Sequence, residues 1–72
     1  MDANADEATD IAREGHRAYE RGDYTKACRL YRLAADQGYA PAQCNLGLMY
    51  ERGRGVERDY GKAHHWYQKA AA

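Results

Sequence analysis

The 72-residue sequence predicts an all-α fold, an α/α solenoid of two antiparallel helical hairpins. One observation is an internal repeat: YERGDYTKA at 19–27 recurs as YERGRGVERDYGKA at 50–63, and such self-similarity is typical of repeat architectures. A second is that apolar and small residues recur at i, i+3, i+4 and i+7, which marks one face of an α-helix. A third is that glycine and then aspartate follow each YER, the order in which one helix ends and the next begins.

The two copies match in one register with a single gap. Tyr19 matches Tyr50, 31 residues later, and Tyr24 matches Tyr60, 36 residues later. The second copy therefore carries five extra residues, at 54–58. The predicted organisation is a polar acidic N-terminal cap at 1–7, a first repeat at 8–38 and a second repeat at 39–72.

The first predicted helix has a face of small and apolar side chains and a glycine at its end. Asn4 with Glu7 three residues on suits a capping box, and Asp6 or Thr9 competes for the same role. Gly22 is expected to end the helix in a left-handed conformation. Its buried face is predicted to hold Ala8, Ile11, Ala12, Gly15, Ala18 and Tyr19.

The second helix is expected to begin after Asp23, whose carboxylate suits an N-cap, and to stop at Gly38. The third is expected to carry Pro41 in its first turn, where the missing N–H would be unpaired in any case. Gly53 closes the third helix, and Asp59 caps the fourth. The predicted buried faces are Ala27, Leu30, Tyr31 and Ala34 in the second, Ala42, Leu46, Met49 and Tyr50 in the third, and Ala63, Trp66, Tyr67 and Ala70 in the fourth.

The five extra residues predict a longer turn in the second repeat. Gly53 and Gly55 can supply positive φ angles there. Val56 is the one apolar residue of the segment and is expected to pack inward as an anchor.

Charge, cysteines and hydropathy narrow the class of protein. Eleven basic and eleven acidic residues give no formal net charge, so nucleic acid is not an expected partner. No apolar run approaches the ~20 residues of a membrane span, and the N-terminus lacks a signal-peptide pattern, so no membrane association and a cytoplasmic location are expected. Cys28 and Cys44 lack zinc-ligand spacing and are expected to be free thiols.

Residues 42–71, AQCNLGLMYERGRGVERDYGKAHHWYQKAA, closely resemble the Sel1-like repeat. The first copy, without the five extra residues, is more similar to the related tetratricopeptide repeat. The resemblance implies an α/α solenoid that acts as a scaffold or adaptor for a protein or peptide, not an enzyme, with no cofactor. The matching positions are Ala42, Leu46, Gly47, Tyr50, Gly53, Gly55, Val56, Asp59, Lys62, Ala63, Trp66, Lys69, Ala70 and Ala71.

The resemblance also implies where a partner would bind, since such solenoids present the first helix of each unit on a concave face. Leu48 lies off the predicted core stripe and yet is apolar, so it either packs against a neighbouring helix or contacts a partner. Tyr19 has the same two readings, core or partner. The residues implied for the face are Ala12, His16, Tyr19 and Glu20 in the first repeat and Cys44, Leu48, Glu51 and Arg52 in the second.

A second hypothesis is structural. Solenoids usually need about three units to bury a continuous core, so the chain is alternatively a fragment of a longer array, or a homo-oligomer completed through its last helix. Trp66 and Tyr67 would then be partly bare and form an association face.

Catalytic and metal-binding hypotheses find little support in the sequence. Some secreted Sel1-like proteins are penicillin-binding and staple each repeat with a disulfide, but the positions of those cysteines are Ala35 and Ala42 here. His64 and His65 are adjacent and so point about 100° apart on a helix, whereas two helical metal ligands need i, i+3 or i+4 spacing. No catalytic, cofactor-binding or metal-binding residue is therefore predicted.

Overall fold

Four α-helices follow one another in this computed structural model, which describes the backbone of residues 3–72 and the side chains of residues 7–72. They are α1 (Ala3–Glu20), α2 (Tyr24–Asp36), α3 (Ala40–Arg52) and α4 (Tyr60–Ala71). Each helix packs against the next along the chain, and no strand occurs in the described part. The predicted all-α solenoid of two helical hairpins is confirmed.

The helix starts follow the capping chemistry predicted for α2, α3 and α4. The Asp23 carboxylate accepts a hydrogen bond from the Lys26 N–H at 3.2 Å, and Asp59 accepts one from the Lys62 N–H at 3.0 Å. Each bond satisfies a donor that the first turn of a helix would otherwise leave unpaired. Pro41 lies in the first turn of α3, as expected.

The start of α1 differs from the prediction. The helix begins at Ala3, so Asn4 lies inside it rather than at its cap, and the Asn4 side chain lies outside the described residues. Local capping patterns compete with one another in this acidic stretch, and several of them can precede a helix. The acidic cap at 1–7 stays a prediction, and its residues 3–7 run on into α1.

The turn after α1 is a Schellman motif. Gly22 has φ +82°, a left-handed conformation that costs glycine little because it has no Cβ. The Asp23 N–H donates to the Ala18 carbonyl at 2.9 Å, and the Gly22 N–H donates to the Tyr19 carbonyl at 2.9 Å. Gly38 ends α2 in the same way. The chain therefore reverses direction within three residues between α1 and α2.

The core is thin and made mostly of small side chains. The Cα atoms span 36 × 29 × 13 Å, so every helix keeps a solvent-facing side. Leu46 and Met49 are its largest fully buried side chains. The remaining buried apolar residues are Ala8, Ala12, Ala18, Ala27, Cys28, Tyr31, Ala34, Ala35, Ala42, Tyr50, Ala63 and Trp66.

Two tyrosines pack on two helical glycines and fix the correspondence between the repeats. A Cβ on Gly15 would lie 3.1 Å from the Tyr31 ring, and one on Gly47 would lie 2.8 Å from the Tyr67 ring. Gly15 and Gly47 are 32 residues apart, so α1 and α3 correspond at an offset of 32. The sequence match of Tyr19 with Tyr50 has an offset of 31 and is shifted by one residue from this packing match. Burial agrees with the packing match, because Tyr50 is buried like Ala18, 32 residues earlier, whereas Tyr19 is only partly buried.

Gln43 is a buried polar residue outside the predicted faces. Its Nε2 donates to the Ala35 carbonyl at 3.1 Å. Ala35 is in the last turn of α2, where carbonyls have no partner within the helix. The same carbonyl accepts from the Gly38 N–H at 3.0 Å, so Gln43 adds a second hydrogen bond that ties the end of α2 to the start of α3.

Trp66 is buried, as predicted for the inward face of the fourth helix, and it is not bare as the association hypothesis expected. Its residue surface is only 6% exposed, and the Arg32 guanidinium from α2 lies 5.7 Å from its ring centroid. The Lys69 ammonium lies 5.2 Å from the same ring. Trp66 is therefore covered within the chain, whereas Tyr67 is partly exposed.

Candidate interaction groove

A groove runs between α1 and α3, the first helices of the two repeats. It encloses about 140 Å³. Helix α2 contributes to its floor, and the turn after α3 closes one end. The lining residues are His16, Tyr19, Tyr31, Asn45, Leu48, Met49 and Arg54.

Arg54 closes the groove by reaching from the second repeat to the first. Its Nη1 donates to the Tyr19 hydroxyl. Its guanidinium carbon lies 5.8 Å from the Tyr19 ring centroid and 5.3 Å from that of Tyr24, and the two rings are 5.1 Å apart. A cation over two aromatic rings is attracted by both. Arg54 therefore joins the turn of one repeat to the turn of the other.

Gly55 allows this approach. Its φ is +77°, and a Cβ built there would lie 2.3 Å from the Tyr24 carbonyl oxygen. No other residue type can bring its backbone so near to Tyr24. Val56, next along the chain, is partly buried against the core, so its predicted role as an anchor is confirmed.

Three of the residues implied for a binding face line the groove: His16, Tyr19 and Leu48. Leu48 is partly buried, with the remainder of its surface in the groove. Glu20 is exposed, and its Oε2 lies 3.7 Å from the His16 Nε2. Ala12 is only 8% exposed, which agrees with its predicted place in the buried face of the first helix and not with the binding face that the resemblance implied.

The other three implied residues lie towards α4 instead. The Tyr67 hydroxyl donates to Glu51 Oε1 at 2.9 Å. Cys44 and Arg52 are exposed and near enough to the Tyr67 phenol to influence its pKa. Burial, followed by the hydrogen bond to Glu51, raises the pKa of Tyr67 to about 12. The phenol therefore remains a hydrogen-bond donor at neutral pH.

Arg54, Asn45 and the floor residues were not predicted for this site. The segment at 54–58 was recognised as an addition to the repeat, but its arginine makes contacts 30 and 35 residues away in sequence. Helical spacing within a repeat does not identify partners that lie this far away in the sequence. The local signal that could have indicated it is an arginine between two glycines, where the side chain is free to lie flat on a neighbour.

The cysteines and histidines form no further centre. Cys28 is buried and Cys44 is exposed, and both are free thiols. Burial raises the pKa of the Cys28 thiol, and nearby Arg32 opposes the change only in part. Among the described residues, no three His, Cys, Asp or Glu side chains are grouped as metal ligands. None of the four described helices is long and apolar enough to cross a membrane.

The fold and groove define a helical-repeat protein, and the chain belongs to the Sel1 repeat family. The family model for the Sel1 repeat matches residues 12–39 and 40–72, so it covers both copies. Sel1 repeats are generally protein–protein interaction modules.

Several curated proteins are similar to part of this chain. DAP3-binding cell death enhancer 1 of Rattus norvegicus is 55% identical over 58% of the chain and 8% of its own length. The ERAD-associated E3 ubiquitin-protein ligase component HRD3 of Candida glabrata is 43% identical over 71% of the chain and 6% of its own length. Chitin synthase regulator SKT5 of Saccharomyces cerevisiae is 41% identical over 75% of the chain and 8% of its own length. The chain thus spans less than a tenth of each of these relatives.

Proposed function

We propose that the groove between α1 and α3 binds an extended segment of a partner protein and that the chain acts as a non-catalytic adaptor. The observation that carries the proposal is the composition of the groove. Leu48 and Tyr19 are partly exposed in the groove above the buried Tyr31 and Met49, and they lie beside polar groups of His16, Asn45 and Arg54. Binding sites commonly combine an apolar floor with a few polar groups that fix orientation.

The groups of the groove suit a peptide backbone with one apolar side chain. The Asn45 amide can both donate to and accept from a peptide group. Arg54 has five N–H donors and one hydrogen bond to the Tyr19 hydroxyl, so it can also bind a carbonyl or carboxylate of the partner. Leu48 would contact the apolar side chain.

The relatives support the class of function. One is named for binding another protein, one is a component of a ubiquitin ligase, and one is a regulator of a synthase. An adaptor role agrees with all three names.

Peptide selection tests the proposal. A displayed peptide library is selected on the immobilised chain, and the enriched peptides are measured against Leu48→Arg and Leu33→Arg. Leu33 is a suitable control, because it is 51% exposed and lies on α2 outside the groove. Both variants are first shown to melt like the wild type.

Leu48→Arg is expected to weaken binding by about tenfold or more, since it places a charge on an apolar contact. Leu33→Arg is expected to bind as the wild type does. Equal affinities for both variants, or a larger loss with Leu33→Arg, would place the binding surface elsewhere. The purified chain is also expected not to hydrolyse nitrocefin, and turnover would contradict the non-catalytic role.

A further inference from the structure

The lining of the groove between α1 and α3 is positively charged at the end formed by Arg54. Among the described residues that line the groove there is no Asp or Glu, and His16 adds further positive charge when it is protonated. Glu20 lies outside the lining and is exposed, and its Oε2 is 3.7 Å from the His16 Nε2. An anionic group of a partner would therefore meet a guanidinium in the groove and no carboxylate in its lining.

The Arg54 side chain is held in place without a partner. Its guanidinium carbon lies 5.8 Å from the Tyr19 ring centroid and 5.3 Å from that of Tyr24. Fixing a flexible side chain on binding costs free energy. Because two rings already fix this arginine, a partner that binds it meets less of that cost.

The guanidinium of Arg54 also has donors beyond the one that it uses within the chain. It carries five N–H donors in a planar fork, and Nη1 donates to the Tyr19 hydroxyl. A carboxylate can accept two parallel bonds from such a fork, and these are shorter and stronger than a bond to a neutral hydroxyl. Arg54 is half-buried, so a carboxylate bound to it is screened less by salt than a pair on the open surface.

The small size of the groove brings the apolar and the charged contact close together. It encloses about 140 Å³ and contains the partly exposed Leu48 as well as Arg54. An extended segment that contacts both side chains must carry its apolar residue and its acidic residue as near neighbours.

We propose that the groove selects partner segments in which an acidic residue lies near an apolar one, and that Arg54 determines this specificity. The carboxylate binds the Arg54 guanidinium, and the neighbouring apolar side chain contacts Leu48. The inference rests on the function proposed for the groove and adds the charge of the segment that it takes.

A displayed library of random peptides, selected on the immobilised full chain, is the probe. The enriched sequences are expected to contain Asp or Glu near an apolar residue. Each enriched peptide is then synthesised with its acid and with the matching amide, Asn or Gln, and both are titrated at low and at high sodium chloride. The amide form is expected to bind about tenfold more weakly at low salt, and the difference is expected to shrink as salt rises.

Two arginine variants locate the contact. Arg54→Gln removes the charge, so it is expected to weaken the acidic peptide by about tenfold and to leave the amide peptide nearly unchanged. Arg58→Gln is the matched control, because Arg58 belongs to the same segment at 54–58 but lies over the Tyr60 ring and outside the groove lining. It is expected to bind both peptides as the wild type does.

Tyr19→Phe provides a second test if Arg54→Gln fails to fold. It keeps the ring beneath Arg54 and removes the hydroxyl that accepts from it, so the released N–H can bind the partner. The variant is expected to bind the acidic peptide at least as tightly as the wild type. A tenfold loss would mean that the hydroxyl, not the guanidinium, receives the partner and would contradict the role of Arg54.

The remaining outcomes separate this inference from the function on which it rests. Peptides that depend on Leu48 but carry no enriched acid, or that bind equally in acid and amide forms, would overturn the role of Arg54 and leave the groove as the binding site. Enrichment of Lys or Arg instead would assign the specificity to Glu20. Peptides unaffected by Leu48→Arg would overturn the groove function, and this inference with it.

Discussion

At the scale of single residues, the helical glycines Gly15 and Gly47 are constrained by the tyrosine rings that pack on them. Gly47 lies in the middle of α3, where glycine is normally less stable than alanine. Its missing Cβ is what lets the Tyr67 ring and the Ala63 carbonyl come near. Packing here outweighs helix propensity.

Gly47→Ala is therefore expected to destabilise the fold. Overpacking typically costs about 1–3 kcal/mol, which exceeds the gain of up to ~1 kcal/mol from alanine in a helix. Gly61→Ala in α4 is the matched control, because its Cβ would meet only the Asp59 carboxylate, at 3.3 Å. Urea denaturation is expected to show a loss for Gly47→Ala and none for Gly61→Ala, and equal stabilities would contradict the packing argument.

The Tyr67 phenol is expected to lose its proton at a higher pH than an ordinary tyrosine and to make the stability of the fold depend on pH in the alkaline range. Its pKa is about 12 in the folded chain, first through burial and then through Glu51, against ~10 for an unperturbed tyrosine. A group with a raised folded pKa contributes stability that is complete below pH ~10 and is lost as the pH rises towards 12.

NMR of ¹³C-labelled tyrosine rings measures this titration, with Tyr67→Phe to assign the resonance. The wild type is expected to lose more stability between pH 10 and 12 than Tyr67→Phe does. A Tyr67 resonance that titrates near pH 10 would show that burial and the hydrogen bond to Glu51 do not raise the pKa of the phenol.

At the scale of elements, local chemistry sets the starts of α2 and α4 and was readable from the sequence. Asp23 and Asp59 cap their helices as predicted, and each bond spans only three residues. The contacts of Arg54 were not predictable in this way, because they depend on how two repeats stack. The helical spacing placed Ala12 correctly in the buried face, and only its further assignment to the binding face, implied by the resemblance, disagrees with its burial.

Gly55→Ala is expected to be more damaging than Gly22→Ala. Both glycines have positive φ angles, and alanine there costs about 1–2 kcal/mol. A Cβ on Gly22 meets nothing within 4 Å, whereas one on Gly55 would overlap the Tyr24 carbonyl oxygen. Overpacking should add about 1–3 kcal/mol for Gly55→Ala alone.

Denaturant unfolding of the two variants measures the difference. A larger loss of unfolding free energy in Gly55→Ala than in Gly22→Ala would assign the difference to the close approach of Gly55 to Tyr24. Losses of the same size in both variants would mean that the segment at 54–56 adds nothing to the stability of the first repeat.

At the scale of the whole molecule, the repeats join through α2 and α3 and through the segment at 54–56. Trp66 is covered within the chain, and Arg54 is held by the first repeat. Two features that could have taken part in self-association are thus already satisfied internally.

The chain is therefore expected to be a monomer in solution. Sedimentation equilibrium should fit the monomer mass at all loading concentrations, and the melting temperature should not depend on concentration. A dimer, or a melting temperature that rises with concentration, would instead favour the oligomer hypothesis.

The central claim is that the groove between α1 and α3 receives the partner. The most direct measurement is NMR mapping of a selected peptide on the labelled chain, with contacts recorded from the Leu48 methyl groups. The account predicts shift changes at His16, Asn45, Leu48 and Arg54, and cross-peaks from Leu48 to an apolar side chain of the peptide. Changes confined to the outer face of α2 around Leu33, with the groove unaffected, would contradict it.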